Sequence, residues 1–220
     1  MATPLPCNDC VAGCCRGYNV VVTGFDAFRL ARALAAPPSD FCDLRWAAAP
    51  EGHYRILLNA LPGAEKRYYR LVLRRLDGDH PRFEHRCTFL LTVGERGRCG
   101  VYEARPNVCR TYPTSLDGES VGFDSGGRWC PPGAWTPDLV DVPLARLQHR
   151  RRDRHLALWN ALVDGWNARL LATSEAVGHA FFYRFLLDAY VDLAARAPAL
   201  DDPDGDVGAL AADTLRAIGY

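Results

Sequence analysis

A chain of 220 residues is long enough to bury one sizeable core, or a core with a helical annex. Its 26 basic and 26 acidic residues cancel, which excludes a global field that would gather nucleic acid or an anionic membrane. Basic charge is carried almost wholly by arginine, with Lys66 the sole lysine, and arginine is the better partner for planar anions.

Residues 1–6 carry neither a basic n-region nor an apolar h-region, so the chain is expected to have no secretory leader. No apolar run approaches the roughly 18 residues of a membrane span. The most apolar stretch, residues 180–195, is interrupted by Arg184, Asp188 and Asp192. The expectation is a cytoplasmic protein without nucleic-acid or membrane partners. Nine cysteines in a reducing compartment then point to metal ligation rather than to disulfides.

The chain opens on Cys7-Asn8-Asp9-Cys10-Val11-Ala12-Gly13-Cys14-Cys15, four thiols in nine residues. A C-x₂-C step lets Cys7 and Cys10 reach one metal from a single turn. Cys14 and Cys15 follow after three more residues, and adjacent side chains are expected to point in different directions, so one of them would serve another metal or only support the first. The β-branched run at 18–23 predicts a short strand. Thr23-Gly24-Phe25-Asp26 then reads as a capping box, opening a helix through Ala27, Leu30, Ala31 and Leu34 that Pro37-Pro38 ends.

Residues 53–59 and 68–73 predict two strands with a turn at 61–64, and the DGDHP stretch at 77–81 reads as a further turn. Cys42 has no cysteine neighbours and reads as a small buried hydrophobe outside any site. Residues 87–93 read as one strand beginning at Cys87, followed by a turn at 94–97 and by Cys99. Pro106 and Pro113 bound a short helix that places Cys109 near its first turn, where free N–H groups favour a thiolate. Glycine-rich residues 121–128 predict a hairpin before Cys130.

From Pro137 the cysteines stop and helical periodicity takes over, with Leu158, Trp159, Leu162, Val163, Trp166 and Leu170 on one stripe. A second helix is expected from Ser174 to Arg196 and a third over 207–218. The composition predicts an α+β fold. Residues 1–136 would form an irregular, cysteine-rich metal-binding domain of short strands and helices, and 137–220 a helical region packed on it.

The candidate metal ligands are Cys7, Cys10, Cys14, Cys15, Cys87, Cys99, Cys109 and Cys130. Eight thiols suffice for two four-thiolate sites or for one site with auxiliary thiols. Thiolate serves zinc and iron–sulfur clusters alike, but a zinc ribbon repeats its C-x₂-C knuckle and the second set here does not, which favours an iron–sulfur cluster over zinc. The cluster expected is of the 4Fe–4S type, although cysteine spacing does not itself set the number of irons. The radical-type C-x₃-C-x₂-C spacing and the dinucleotide fingerprint are both absent from the sequence. His80 and His85 flank Cys87 as lesser candidates for replacing a thiolate. The run from His149 to His155 reads as a solvated helix face. Asp202, Asp204, Asp206 and Asp213 have calcium-loop spacing, but Val207 stands where glycine is required, so they read as a polar turn.

Three motifs carry a resemblance: CNDCVAGCCRG at 7–17 with the VVVT run after it, C-TFLL at 87–91, and GRCGVYEARPNVCRTYP at 97–113. Together they resemble the CxxCxxCC family of zinc- or iron-chelating proteins, which overlaps the flagellin lysine N-methylase-like group. The spacing departs from the family name, since three residues separate Cys10 from Cys14. The resemblance implies a cysteine-bound metal centre. Through the methylase relatives it also implies an iron–sulfur cluster supporting methyl transfer from S-adenosylmethionine to a protein lysine. Arg105 and Arg110, inside the third motif, are candidate donors to the sulfurs of such a cofactor. Three readings follow: a redox, sensing or electron-transfer protein acting on a redox partner; a protein-lysine methyltransferase acting on a protein substrate; and a structural zinc module. Binding of S-adenosylmethionine by the holoprotein would mark the second, and a colourless, redox-silent protein the third.

Overall fold

The computed structural model describes residues 10–47, 55–59, 65–123, 130, 134–173, 176–196 and 205–220. The fold is α+β, and the chain divides into two compact units. One consists of Met1–Val20 with Leu73–Arg150, the other of Val21–Val72 with Arg151–Tyr220.

The second unit is built as a helix layer on a small sheet. Helix α1 (Gly13–Gly17) precedes it in the chain, and α2 (Gly24–Leu34) is its first helix. The Thr23 hydroxyl accepts from the Asp26 amide at 3.2 Å and the Asp26 carboxylate accepts from the Thr23 amide at 3.1 Å, so the predicted capping box closes on both sides. Ala35, left-handed at φ 50°, stops the helix before the two prolines. Gly24 is needed for close approach: a Cβ there would lie 2.5 Å from the Trp159 ring and closer still to Tyr190.

Strands β1 (Cys42–Trp46), β2 (Ile56–Leu58) and β3 (Arg67–Leu73) form a sheet in the order β1-β3-β2, with Ile56 opposite Tyr69 and Leu58 opposite Arg67. The outer edge of β2 is closed by the long helix α4 (Val142–Ala172). Asn167 accepts from the Leu57 amide at 2.8 Å and donates to the Arg55 carbonyl at 2.7 Å, while the Trp166 indole donates to the Leu57 carbonyl at 2.8 Å. Backbone groups that would otherwise invite a foreign strand are thereby satisfied. Lys66 reaches the carbonyls of Leu170 at 2.8 Å and Thr173 at 3.2 Å, supplying donors to the end of α4, whose last carbonyls have no helical partner. The predicted stripe on α4 is buried throughout and meets Phe182, Phe185 and Tyr190 of α5 (His179–Ala195). Trp166 lies 4.9 Å from Phe185 and 5.3 Å from Phe182 between ring centres. Helix α6 (Val207–Ala217) is capped by Asp206, which accepts from Ala209 at 3.0 Å; Asp202 and Asp204 lie outside the described residues.

Some expectations fail here for identifiable reasons. Residues 18–23 do not form a strand: Val21 makes one isolated bridge with Val72 before the capping box turns the chain. Helix α5 begins at His179 rather than 174, because Val177 is drawn into a bridge with Asn59; Ser174 lies outside the described residues. The His149–His155 run is not a wholly solvated face: it lies within α4, where both histidines are buried, His155 against Phe25 with ring centres 3.8 Å apart.

The first unit is made of hairpins and single-turn helices. Strands β4 (Arg75–His80) and β5 (Phe83–Cys87) pair antiparallel, as do β6 (Leu90–Val93) with β7 (Arg96–Cys99) and β8 (Thr114–Asp117) with β9 (Ser120–Phe123). Residues 77–80 are therefore strand rather than turn, and the turn falls on Pro81-Arg82. Gly78 permits this at the register shift between Asp77 and His80, because a Cβ there would strike the Phe83 carbonyl. The hairpin expected over 121–128 lies upstream, turning at Gly118 with φ 56°; residues 124–128 lie outside the described residues.

Candidate metal centre

All eight candidate ligands belong, by chain position, to the first unit, and Cys42 belongs to the second. Cys7 lies outside the described residues. Cys42 is 1% exposed and its carbonyl accepts from the Tyr183 hydroxyl at 2.9 Å, in keeping with its reading as a small core residue.

Cys10 sits in the loop that precedes α1, and its carbonyl accepts from Gly97 of β7 at 3.1 Å. This bond lays the first cysteine segment on the β6/β7 hairpin. Gly97 makes the approach possible, since a Cβ there would lie 2.5 Å from that of Ala12 and 2.8 Å from Leu90. Buried Arg16 then fixes the loop by donating to the Val11 carbonyl and to Asp79 at 3.1 Å. Arg75 fixes its exit by donating to the carbonyls of Arg16 and Tyr18.

Cys14 and Cys15 lie together in α1 with their sulfurs 4.0 Å apart. The expectation that they diverge is therefore overturned: a five-residue helical turn, clamped by Arg16, brings both sulfurs to one side. Tetrahedral thiolates at about 2.3 Å from a shared metal stand roughly 3.8 Å apart, so this spacing suits two ligands of one metal.

Residues 87–93 are not a single strand. β5 ends at Cys87 and β6 begins at Leu90, with Thr88-Phe89 turning between them. The turn has a purpose in the backbone bonding. Thr88 donates to the Arg74 carbonyl at 3.0 Å, the Phe89 carbonyl accepts from Gly100 at 2.8 Å, and the Phe89 amide is left to hydrogen-bond Cys87. Cys99 ends β7 opposite Leu90 and takes a hydrogen bond from the Val101 backbone. Cys10 accepts from the Ala12 amide at 3.3 Å. Three thiols thus each face the amide two residues downstream, an arrangement that favours the thiolate and tunes a sulfur-bound centre.

Cys109 is the third residue of α3 (Asn107–Thr111), with Pro106 as N-cap and a cis Tyr112–Pro113 bond just beyond. Cys130 is half-buried against Tyr112 and Trp135, and the Tyr112 ring meets Tyr18 edge-on at 5.9 Å.

The thiols lie within one another's fields. The Cys15 hydrogen bond pulls Cys14 down to about 7 against the effect of burial, with help from the Arg105 charge. Cys15 is pushed up by that shared hydrogen bond, by burial, and by the fields of Cys14, Cys87 and Cys109. Burial raises Cys87, and the fields of Cys99 and Cys14 add to it. Burial also raises Cys99 and Cys130, and each feels Cys14. The Cys14 charge is therefore common to Cys15, Cys87, Cys99 and Cys130. Among the described residues, no three His, Cys, Asp or Glu side chains stand at metal-holding geometry.

The two arginines have different places. Arg105 lies over the Tyr102 ring at 4.3 Å and its charge favours the thiolates of Cys14 and Cys99. Arg110 donates to the Arg105 carbonyl at 3.0 Å and to the Glu103 carbonyl, bracing the loop that carries Arg105. His85 is exposed beside Glu84 at 3.9 Å. Sequence reading assigned no role to Arg16, Arg75 or Gly97, although Arg16 and Gly97 stand inside the first and third motifs.

No helix among the described residues is long and apolar enough to cross a membrane. Neither the curated proteins nor the solved structures hold a match to the chain. The model of one family, described as a putative zinc- or iron-chelating domain, matches residues 6–131, more than half of the chain. Thiols drawn from four chain segments are the donors such a domain needs, and the protein belongs to the CxxCxxCC family.

Proposed function

We propose that the first unit holds one iron–sulfur cluster through cysteine thiolates and that the protein uses it for redox, sensing or electron transfer. The observation that carries this reading is the sulfur pair of Cys14 and Cys15, 4.0 Å apart in α1, with Cys87, Cys99 and Cys130 from other segments within reach of the Cys14 charge. A shared thiol argues for one centre rather than two independent ones. Donor chemistry fits: the candidates are all soft thiols, three of them facing backbone amides.

When bound, the cluster supplies a one-electron couple at iron. The chain's own residues do the rest. The four thiolates it needs would come from among Cys14 and Cys15 of α1, Cys87 at the end of β5, Cys99 at the end of β7 and Cys109 of α3. Amides of Ala12, Phe89 and Val101 stabilise negative charge on sulfur, and Arg105 offsets part of it.

The test is anaerobic purification with an absorption spectrum and analysis for iron, zinc and acid-labile sulfide. A brown protein with equal iron and sulfide supports the proposal, and Cys14→Ser should then lose all of the iron. Loss of only half would mean two centres. A colourless protein with stoichiometric zinc and no sulfide overturns the redox reading and leaves a structural zinc module.

A further inference from the structure

Helix α5 is apolar on more than the side it buries. Phe182, Phe185, Leu186, Ala189, Tyr190 and Leu193 make up its buried face. Its outer face carries Phe181, 62% exposed, and Val191, 60% exposed, with exposed Ala180 and Ala195 beside them. Of its 17 residues only Arg184, Asp188 and Asp192 carry a formal charge, and a helix apolar all round is ordinarily covered all round. The outer residues Phe181, Arg184, Asp188, Val191 and Ala195 recur at alternating steps of three and four, the spacing of a coiled-coil seam, over about 20 Å of helix. Arg184 and Asp188 form an exposed ion pair at 3.6 Å, and Tyr220 borders it. That pair is neutral as a whole, so the face has no net charge with which to select an acidic or a basic partner.

We propose that this face pairs with the same face of a second copy of the chain, the two α5 helices lying antiparallel across a two-fold axis. The stripe reads alike from both ends, because Phe181, Arg184, Asp188 and Val191 are set apart by steps of three, four and three. A two-fold axis across its middle therefore sets Phe181 of each copy against Val191 of the other, and Arg184 of each against Asp188 of the other. The occupant follows from this order of residues, not from an unpaired charge. Each ion pair within a helix is kept and meets its rotated counterpart, so four charges alternate in sign and none is buried alone. A parallel pairing would set arginine on arginine and aspartate on aspartate, and repulsion disfavours it. One helix face makes an interface at the small end of the range, so the pairing is reversible and depends on protein concentration.

Sedimentation equilibrium of the whole chain, under reducing conditions that prevent disulfide cross-links, reads the association directly. The expected result is a monomer–dimer equilibrium whose dissociation constant rises about tenfold or more in Phe181→Ser/Val191→Ser. It should be unchanged in Leu91→Ser, a control exposed to a similar extent in the first unit. Arg184→Asp and Asp188→Arg should each be monomeric alone, since each sets like charges together, yet the two should pair with each other on mixing. The exchange Arg184→Asp/Asp188→Arg should restore self-association. Thermal midpoints of these variants should stay near that of the wild type, because the substituted side chains face solvent, and this separates lost pairing from lost folding. A wild-type protein that is monomeric at every concentration overturns the proposal. So does a dimer that all variants form equally, or a pair of folded single-charge variants that stay monomeric on mixing.

Discussion

The two units reach a stable arrangement by opposite means. In the second, Trp159, Trp166, Phe182, Phe185 and Tyr190 bury their rings among aliphatic residues of α4 and α5, and side chains such as Asn167 and Lys66 close the remaining backbone groups. In the first, strands of four to six residues and helices of five bury few large side chains. Guanidinium groups of Arg16, Arg75 and Arg110 clamp its carbonyls instead, and of its described cysteines Cys87 is buried and the others half-buried. Short elements have little apolar burial to offset chain entropy, so a metal held there would supply stability that the aromatic core supplies in the second unit.

Removing the metal is the severest test of that contrast. Chelation or Cys14→Ser should cost the first unit the binding free energy of its centre, about 10 kcal/mol or more if it behaves as structural thiolate sites do. Limited proteolysis should then cut within residues 73–123 while the second unit stays protected. Equal loss of protection in both would break the comparison. Trp159→Ala is the converse: it should cost about 3–5 kcal/mol by emptying a site 0% exposed, seen in the thermal midpoint, with metal content unchanged.

Smaller changes sharpen it. Gly97→Ala places a methyl against Ala12 and Leu90, and should cost about 1–3 kcal/mol as overpacking, while also lowering metal content because the Cys10 segment is pushed off the hairpin. Cys42→Ser should leave metal content intact and cost about 1–3 kcal/mol for a buried hydroxyl. The smallest effect is one of pH. In metal-free protein Cys14 titrates near 7 against an ordinary 9.0, so its stabilising contribution is complete above 9 and lost as pH falls through 7. Cys15, Cys87, Cys99 and Cys130 are shifted upward, so theirs is complete below 9 and lost as pH rises beyond it. Stability of the metal-free form should therefore peak between about 7 and 9. Alkylation at pH 7–8 should fall first on Cys14 and disappear in Cys14→Ser.

Much of this was legible because it depends on short-range chemistry. The Thr23–Asp26 capping box, the Pro106–Pro113 turn that holds Cys109, the apolar stripe from Leu158 to Leu170 and the α+β class all follow from neighbours a few residues apart. The thiol-rich motifs were enough to mark a metal-chelating family. Other features answer to partners far along the chain. Cys87 ends a strand because Phe89 must bond both a sulfur and Gly100, and residues 77–80 become strand because Gly78 can pass the Phe83 carbonyl. The turn that carries Cys14 and Cys15 is tied down by Arg16 reaching Asp79, 63 residues away. The amino-acid sequence by itself determined which residues bring soft donors and where helices begin; only tertiary structure decided which thiols share a field, because that depends on distances across a folded loop that no local pattern encodes.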